Sequence, residues 1–205
     1  MPLVTEFTVN NSGSGPAEID YDGLPDGPQS DIEVGTGVYL SYNEFVLVQN
    51  NTNASGAIPG PATEGDYLSI LAEGLATIDF DSNRTSLSFM WGSIDSYNNV
   101  EFLLDGLQVA EFSGDVVVAD SLNTSNVTAN GEQGANGSAF VKFEGSEEFD
   151  QVKFTSTDNS FEIDNTTPSD IPSDTSGGED VPDSGSTIIL LALAGLGLRL
   201  VIRNK

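Results

Sequence analysis

Val100-Glu101-Phe102-Leu103-Leu104, then Asp105-Gly106, then Leu107-Gln108-Val109-Ala110-Glu111-Phe112, is the stretch from which the fold is read. Asp-Gly supplies the two positive φ angles of a type I′ turn, whose twist matches that of the strands it joins. The runs on either side are rich in β-branched and aromatic residues. Together they predict a β-hairpin. Working outward, the same period of two recurs. Ala76, Ile78 and Phe80 alternate with Thr77, Asp79 and Asp81. Leu87, Phe89 and Trp91 alternate with Ser86, Ser88 and Met90, and Phe161 and Ile163 with Glu162 and Asp164. Alternation of this kind places one set of side chains on a core face and the other on the opposite face.

Further strands are expected at Thr5–Val9, Val38–Tyr42, Tyr67–Leu71, Asp115–Ala119, Ala139–Phe143 and Phe149–Thr155. Phe45-Val46-Leu47-Val48 is apolar on both faces and reads as a central strand. About ten strands separated by Gly, Asn, Ser and Asp predict an all-β fold, an antiparallel β-sandwich resembling a jelly roll. Two long loops, Asn50–Gly65 and Asp120–Gly137, interrupt it.

The chain has 205 residues and divides into three parts. Residues 1–165 form the sandwich. Residues 166–180 form an acidic Pro/Ser/Gly linker, too poor in apolar residues to bury a core and so expected to be disordered. Residues 181–205 are a distinct end. Met1-Pro2-Leu3-Val4-Thr5-Glu6 has neither the basic nor the apolar segment of a signal peptide and runs straight into strand-like sequence, so a truncated start is expected.

Charge is sharply divided. There are 32 acidic and 6 basic residues, for a net charge of −26. No acidic residue follows Asp183, whereas Arg199, Arg203 and Lys205 lie in the last seven positions. A body this acidic repels phosphates, so no nucleic-acid partner is expected. The chain has no Cys and no His, which excludes disulfides, thiolate chemistry and the Ser-His-Asp and Cys-His nucleophile systems. A two-carboxylate glycosidase is compatible with the composition, but among 32 acids any pair is easily found. The expectation is a non-enzymatic protein.

Thr187–Leu198 is an uninterrupted run of twelve apolar and small residues. As a short helix it covers ~18 Å, less than the ~30 Å hydrocarbon core of a bilayer. Extended to Ser186–Ile202 it reaches the lower limit of a span, with Arg199 near enough to its end to snorkel. The basic cluster predicts a C-terminus on the cytoplasmic side of the inner membrane.

Val181-Pro182-Asp183-Ser184-Gly185, the apolar run with Gly195 and Gly197, and the basic stop of Arg199, Arg203 and Lys205 together resemble the VPDSG-CTERM variant of PEP-CTERM sorting signals. That resemblance implies an exported protein, tethered transiently through residues 186–202. An exosortase, a membrane-embedded protease or transpeptidase, then cleaves it and it reaches the cell surface or extracellular matrix. Arg199 precedes Leu200-Val201-Ile202, so the basic cluster is less compact than in that family. The body carries a second resemblance, to exosortase-dependent surface proteins, in Trp91-Gly92-Ser93-Ile94-Asp95-Ser96-Tyr97-Asn98 and Phe161-Glu162-Ile163-Asp164-Asn165. It implies a location rather than an activity.

Two ligand classes are expected of such a body. Trp91 with Asp95, Tyr97 and Asn98 makes a candidate carbohydrate platform for exopolysaccharide, although Trp91 shares its face with Leu87 and Phe89 and so also reads as core. No cofactor is required, but calcium is a candidate ligand of Glu162 and Asp164, which alternation alone would leave facing solvent. Asp79-Phe80-Asp81-Ser82-Asn83 begins like an EF-hand loop and then fails, with Arg84 at the glycine position and Met90 at the bidentate glutamate position.

Overall fold

The computed structural model describes residues 6–10, 19, 21–51, 59, 65–121 and 137–169. Within them lie strands β1 (Glu6–Asn10), β2 (Gln29–Gly35), β3 (Val38–Tyr42), β4 (Val46–Gln49), β5 (Tyr67–Ile70), β6 (Leu75–Gly92), β7 (Asn98–Leu104) and β8 (Leu107–Ser113), helix α1 (Gly114–Ser121), and strands β9 (Ala139–Ser156) and β10 (Phe161–Ser169). Every strand pair described is antiparallel. The β7–β8 hairpin forms as expected, with φ of 51° at Asp105 and 74° at Gly106.

The hydrogen-bonded order β4-β5-β10-β6-β9-β7-β8 describes one continuous sheet, joined by β1 on β9, β3 on β6 and β2 on β3. β6 and β9 are each 18 residues long and change neighbours halfway. The first half of β6 pairs with β3 and with the second half of β9; its second half pairs with β10 and with the first half of β9. The first half of β9 also holds β1, and its second half holds β7. The register breaks between Asp79 and Ser86, where both strands turn.

Ring contacts show that the sheet folds over on itself. Phe89 pairs with Val141, thirteen residues from Phe154 on β9. In a flat sheet that separation is ~43 Å at ~3.3 Å per residue. The Phe89 and Phe154 rings are in fact 5.2 Å apart, edge to face. Phe102 and Phe143 meet across the same gap at 5.2 Å, and Phe112 and Phe143 at 5.0 Å. The fold is therefore a two-layer sandwich. One layer is β2-β3-β6-β9-β7-β8 and the other is β4-β5-β10-β6-β9-β1, with β6 and β9 shared.

The inward residues of the shared strands fill the interior. Ala76, Ile78, Leu87, Phe89, Trp91, Val141, Val152 and Phe154 are all buried. The turn between layers is polar: Asp81, Ser82 and Asn83 are exposed, and the Asn83 amide donates to Glu148 at 2.7 Å. Beneath it Phe80 and Phe149 meet edge to face, and the Arg84 guanidinium lies 5.5 Å over the Phe80 ring.

Several local readings are corrected. Asp115–Ala119 is not a strand but part of α1. Val116-Val117-Val118 has the propensity of a strand, but the helix buries Val117 and Val118 and leaves Val116 exposed, so packing overrides propensity. The segment read as a central strand is β4, which pairs only with β5 among the described residues and leaves Phe45 exposed. The short strands expected at 76–81 and 87–91 are the two halves of β6. Those at 139–143 and 149–155 are the halves of β9. β2, in which Ile32 and Val34 alternate with Asp31 and Glu33, was not anticipated. β10 runs through Ser169, with Thr167, Pro168 and Ser169 opposite Ser88, Leu87 and Ser86. The boundary between sandwich and linker thus lies past residue 169, not at 165. The sorting motif Val181–Gly185, the apolar run 186–202 and the basic residues Arg199, Arg203 and Lys205 lie outside the described residues. Among the described residues, no helix is long and apolar enough to cross a membrane.

Phe89 touches Trp91, Phe143, Phe154 and Phe161. Phe89→Ala is expected to lower the free energy of unfolding by about 3–5 kcal/mol, measured by denaturant titration. A loss below about 1 kcal/mol would mean that these rings do not hold the layers together.

Candidate functional site

Four connections, three of them taken with the first residue of the strand that follows, meet at one end of the sandwich: residues 43–46 from β3 into β4, 71–75 from β5 into β6, 93–98 from β6 into β7, and 157–160 between β9 and β10. They are cross-tied by hydrogen bonds. Asn43 Oδ1 accepts from the backbone N–H of Phe45 and of Leu75, both at 3.2 Å, and its amide donates to the Glu73 carbonyl at 3.0 Å. Leu71 N–H donates to the Phe45 carbonyl at 2.9 Å and Glu73 N–H to the Ser156 carbonyl at 3.1 Å. Ala72 N–H donates to Asn159 Oδ1 at 2.9 Å, and the Tyr97 hydroxyl to the Asn159 carbonyl at 2.7 Å. Loops on a β-scaffold are where binding residues concentrate, and cross-tying fixes their geometry in advance.

The sequence-predicted residues Trp91, Asp95, Tyr97 and Asn98 all come to this end, but not as a platform. Trp91 is fully buried. Its ring stacks on Phe161 with centroids 4.5 Å apart, and Nε1 donates to Asn98 Oδ1 at 3.4 Å. A ring with no exposed face cannot stack on a sugar, so the platform reading of Trp91 is corrected to core. Asn98 is a structural hub. Its Oδ1 also accepts from Asp95 N–H at 2.9 Å, and its Nδ2 donates to Ser156 Oγ at 3.1 Å and to the Ser160 carbonyl at 3.3 Å. Every polar site on this buried amide is used, and it staples the 93–98 loop to the 157–160 turn.

Asp95 is buried beside this hub. Burial raises its carboxyl above the ordinary aspartate range; the neighbouring Tyr97 hydroxyl pulls it back, and the charge of Asp158 adds to the rise. Tyr97 itself is pushed well up, first by burial and then by Asp95, Asp158 and Glu162.

Glu162 and Asp164 are not the solvent-facing acids that alternation implies. Glu162 is 0% exposed and Asp164 6%. They point away from Phe161 and Ile163, yet that face is covered. A Cβ on Gly92 would sit 3.1 Å from both Glu162 Cβ and the buried Pro59, so β6, β10 and residue 59 pack closely here. The Ser160 hydroxyl donates to the Glu162 carboxylate. Asp164 Oδ1 accepts from Asn165 N–H at 2.7 Å. The Tyr67 hydroxyl donates to the Asn51 carbonyl at 2.8 Å, and burial together with the charge of Glu162 pushes its pKa up to about 12. Among the described residues, no three acidic side chains converge as a metal site requires. The two predicted calcium ligands thus stand as a covered pair without a third carboxylate.

The rim residues Asn43, Phe45, Glu73, Leu75, Asn159 and Ser160 were not anticipated. Sequence spacing cannot show that four separate turns share one end.

No protein-family model matches the chain. No curated protein matches it either. Solved structures similar to it include the following two. The GH31 CBM32-2 module, solved by X-ray crystallography bound to GalNAc, is 14% identical, with a TM-score of 0.31 over 81% of this chain and 98% of that one. The enzymatically active domain of tailspike protein 4 of bacteriophage CBA120 is 12% identical, with a TM-score of 0.33 over 74% of this chain and 22% of that one. The sandwich is assigned here from strand register and ring contacts, not from these likenesses.

Two outcomes test the hub. Asn98→Ala removes four hydrogen bonds from a buried site and is expected to cost about 2–4 kcal/mol in denaturant unfolding; a change within 0.5 kcal/mol would deny Asn98 that role. Folding favours neutral Asp95, so its contribution to stability is full below the unfolded value of about 3.9 and is lost as pH rises through the raised folded value. The midpoint of thermal unfolding of Asp95→Asn, relative to wild type, is expected to rise with pH across the carboxylate range. A difference that does not vary with pH would contradict this.

Proposed function

We propose that the chain is a non-enzymatic surface or extracellular-matrix protein, exported and cleaved at its C-terminal signal by an exosortase, with the sandwich as the displayed part. The observation that carries this reading is the order Val181-Pro182-Asp183-Ser184-Gly185, a twelve-residue apolar run, and a basic end. The run is short for a permanent span and suits a transient tether in the inner membrane. The charge division supports it: an acidic body stays soluble outside, while the basic end is held on the cytoplasmic side. The absence of His and Cys from the sequence favours a binding or structural role over catalysis.

A second reading, a carbohydrate-binding module of the exopolysaccharide matrix, is favoured by the cross-tied rim. It offers a preformed surface with exposed apolar and acceptor groups and no basic side chain on its four loops. Calcium stabilisation belongs to this reading. Its motivation is the acidic surface, and a thermal-shift titration with millimolar calcium tests it.

The sorting reading is tested in the producing cell by fractionation. Replacing Pro182 and Asp183 with Ala is expected to leave the uncut chain in the inner-membrane fraction, where the wild type yields a shortened form at the surface or in the medium. Equal processing of both forms would refute the role of the motif.

A further inference from the structure

Among the described residues, four large apolar side chains are exposed: Phe45, Leu75, Leu107 and Val116. Phe45 is the one aromatic among them. Leu107 stands alone beside the hairpin turn and Val116 on α1. Phe45 and Leu75 are different, because they come from separate loops and are brought together. The Asn43 side chain accepts from both of their backbone N–H groups, and the Phe45 carbonyl is held by Leu71. Their backbones are thus held together at the rim, with 37% of Phe45 and 36% of Leu75 open to solvent. Exposing such a pair gives up the burial either side chain could have had elsewhere.

Around it the loops supply Glu44, Glu73, Asp158 and Asn159, all exposed, and no Lys or Arg. These groups are mainly acceptors. We propose that Phe45 and Leu75 form a binding platform for the apolar ring face of an uncharged polysaccharide, whose hydroxyls donate to the surrounding carboxylates and carbonyls. This rests on the carbohydrate reading and names its site and ligand class. Charge decides against an anionic polymer, which this acid-rimmed surface repels. Size decides against a folded protein partner, since a stable protein interface covers about 800 Å² on each side and two side chains supply a small part of that. A sugar ring is of matching size, and its hydroxyls are donors that suit the carboxylates of the rim.

The test uses the full-length chain in affinity gels and titrations with β-glucan, galactan and mannan as neutral probes and alginate as an anionic one. Wild type is expected to bind at least one neutral polymer and to ignore alginate. Phe45→Ala is expected to weaken binding roughly tenfold, Phe45→Trp to keep it, and Leu107→Ala to leave it unchanged. Unfolding midpoints of the three variants confirm that they remain folded. If wild type binds a neutral polymer and Phe45→Ala binds equally well, the platform is wrong while the carbohydrate reading stands. If no neutral polymer binds, or only alginate binds, both fall. If Phe45→Ala instead abolishes self-association seen by sedimentation, the pair is a contact between copies and the proposal is overturned. The sorting reading is untouched by any of these results, because its own test is fractionation.

Discussion

The layers are held together by a ribbon that turns back on itself. β6 and β9 run side by side for most of their length, change register between Asp79 and Ser86, and re-enter the structure as the opposite layer. What closes this turn is ring packing: Phe89 against Phe154, Phe102 against Phe143 and Phe149, and Phe161 against Trp91 and Phe154. Each edge-to-face or stacked pair adds about 0.5–1.5 kcal/mol beyond the area it buries. The positions of β1, β3, β7 and β10 follow, because each pairs with one half of the ribbon. The loop rim follows in turn, because three of its four connections begin or end on β6 or β9.

That dependence explains which parts were legible in the sequence. The hairpin at Asp105-Gly106 was readable because its turn chemistry is local. Leu87, Phe89 and Trp91 were readable as core because alternation is local as well. The continuity of β6 was not, since Asp81-Ser82-Asn83 has the composition of a loop and falls where the β9 register breaks between Asp79 and Arg84. α1 failed for a similar reason. Three consecutive valines favour a strand in isolation, and the burial of two of them against the sandwich decides otherwise.

The site shows a comparable division. Asp95, Tyr97 and Asn98 were selected for a loop following a strand; Asp95 and Tyr97 do lie in one, and Asn98 opens β7. Their work there is internal. Asn98 spends its whole hydrogen-bonding capacity on Trp91, Asp95, Ser156 and Ser160, so it shapes the rim without facing outward. The burial of Glu162 was beyond the reach of alternation, which assigns a face but not what covers it. Here Gly92 lets residue 59 approach closely enough to do so. Phe45 was misplaced for the converse reason: a run apolar on both faces looks central, yet β4 ends the row and exposes its first aromatic neighbour.

β10 lies between β5 and β6, pairing with β5 over Phe161–Ile163 and with β6 on through Ser169, and it is the last of the described strands. Any pull on the chain beyond Ser169 therefore enters the domain along an interior strand. A tug along its axis loads the β6 ladder first, in shear, before it reaches the half of β10 that β5 also holds. Force entering from this side is thereby spread along the length of β10 instead of falling on one end of it.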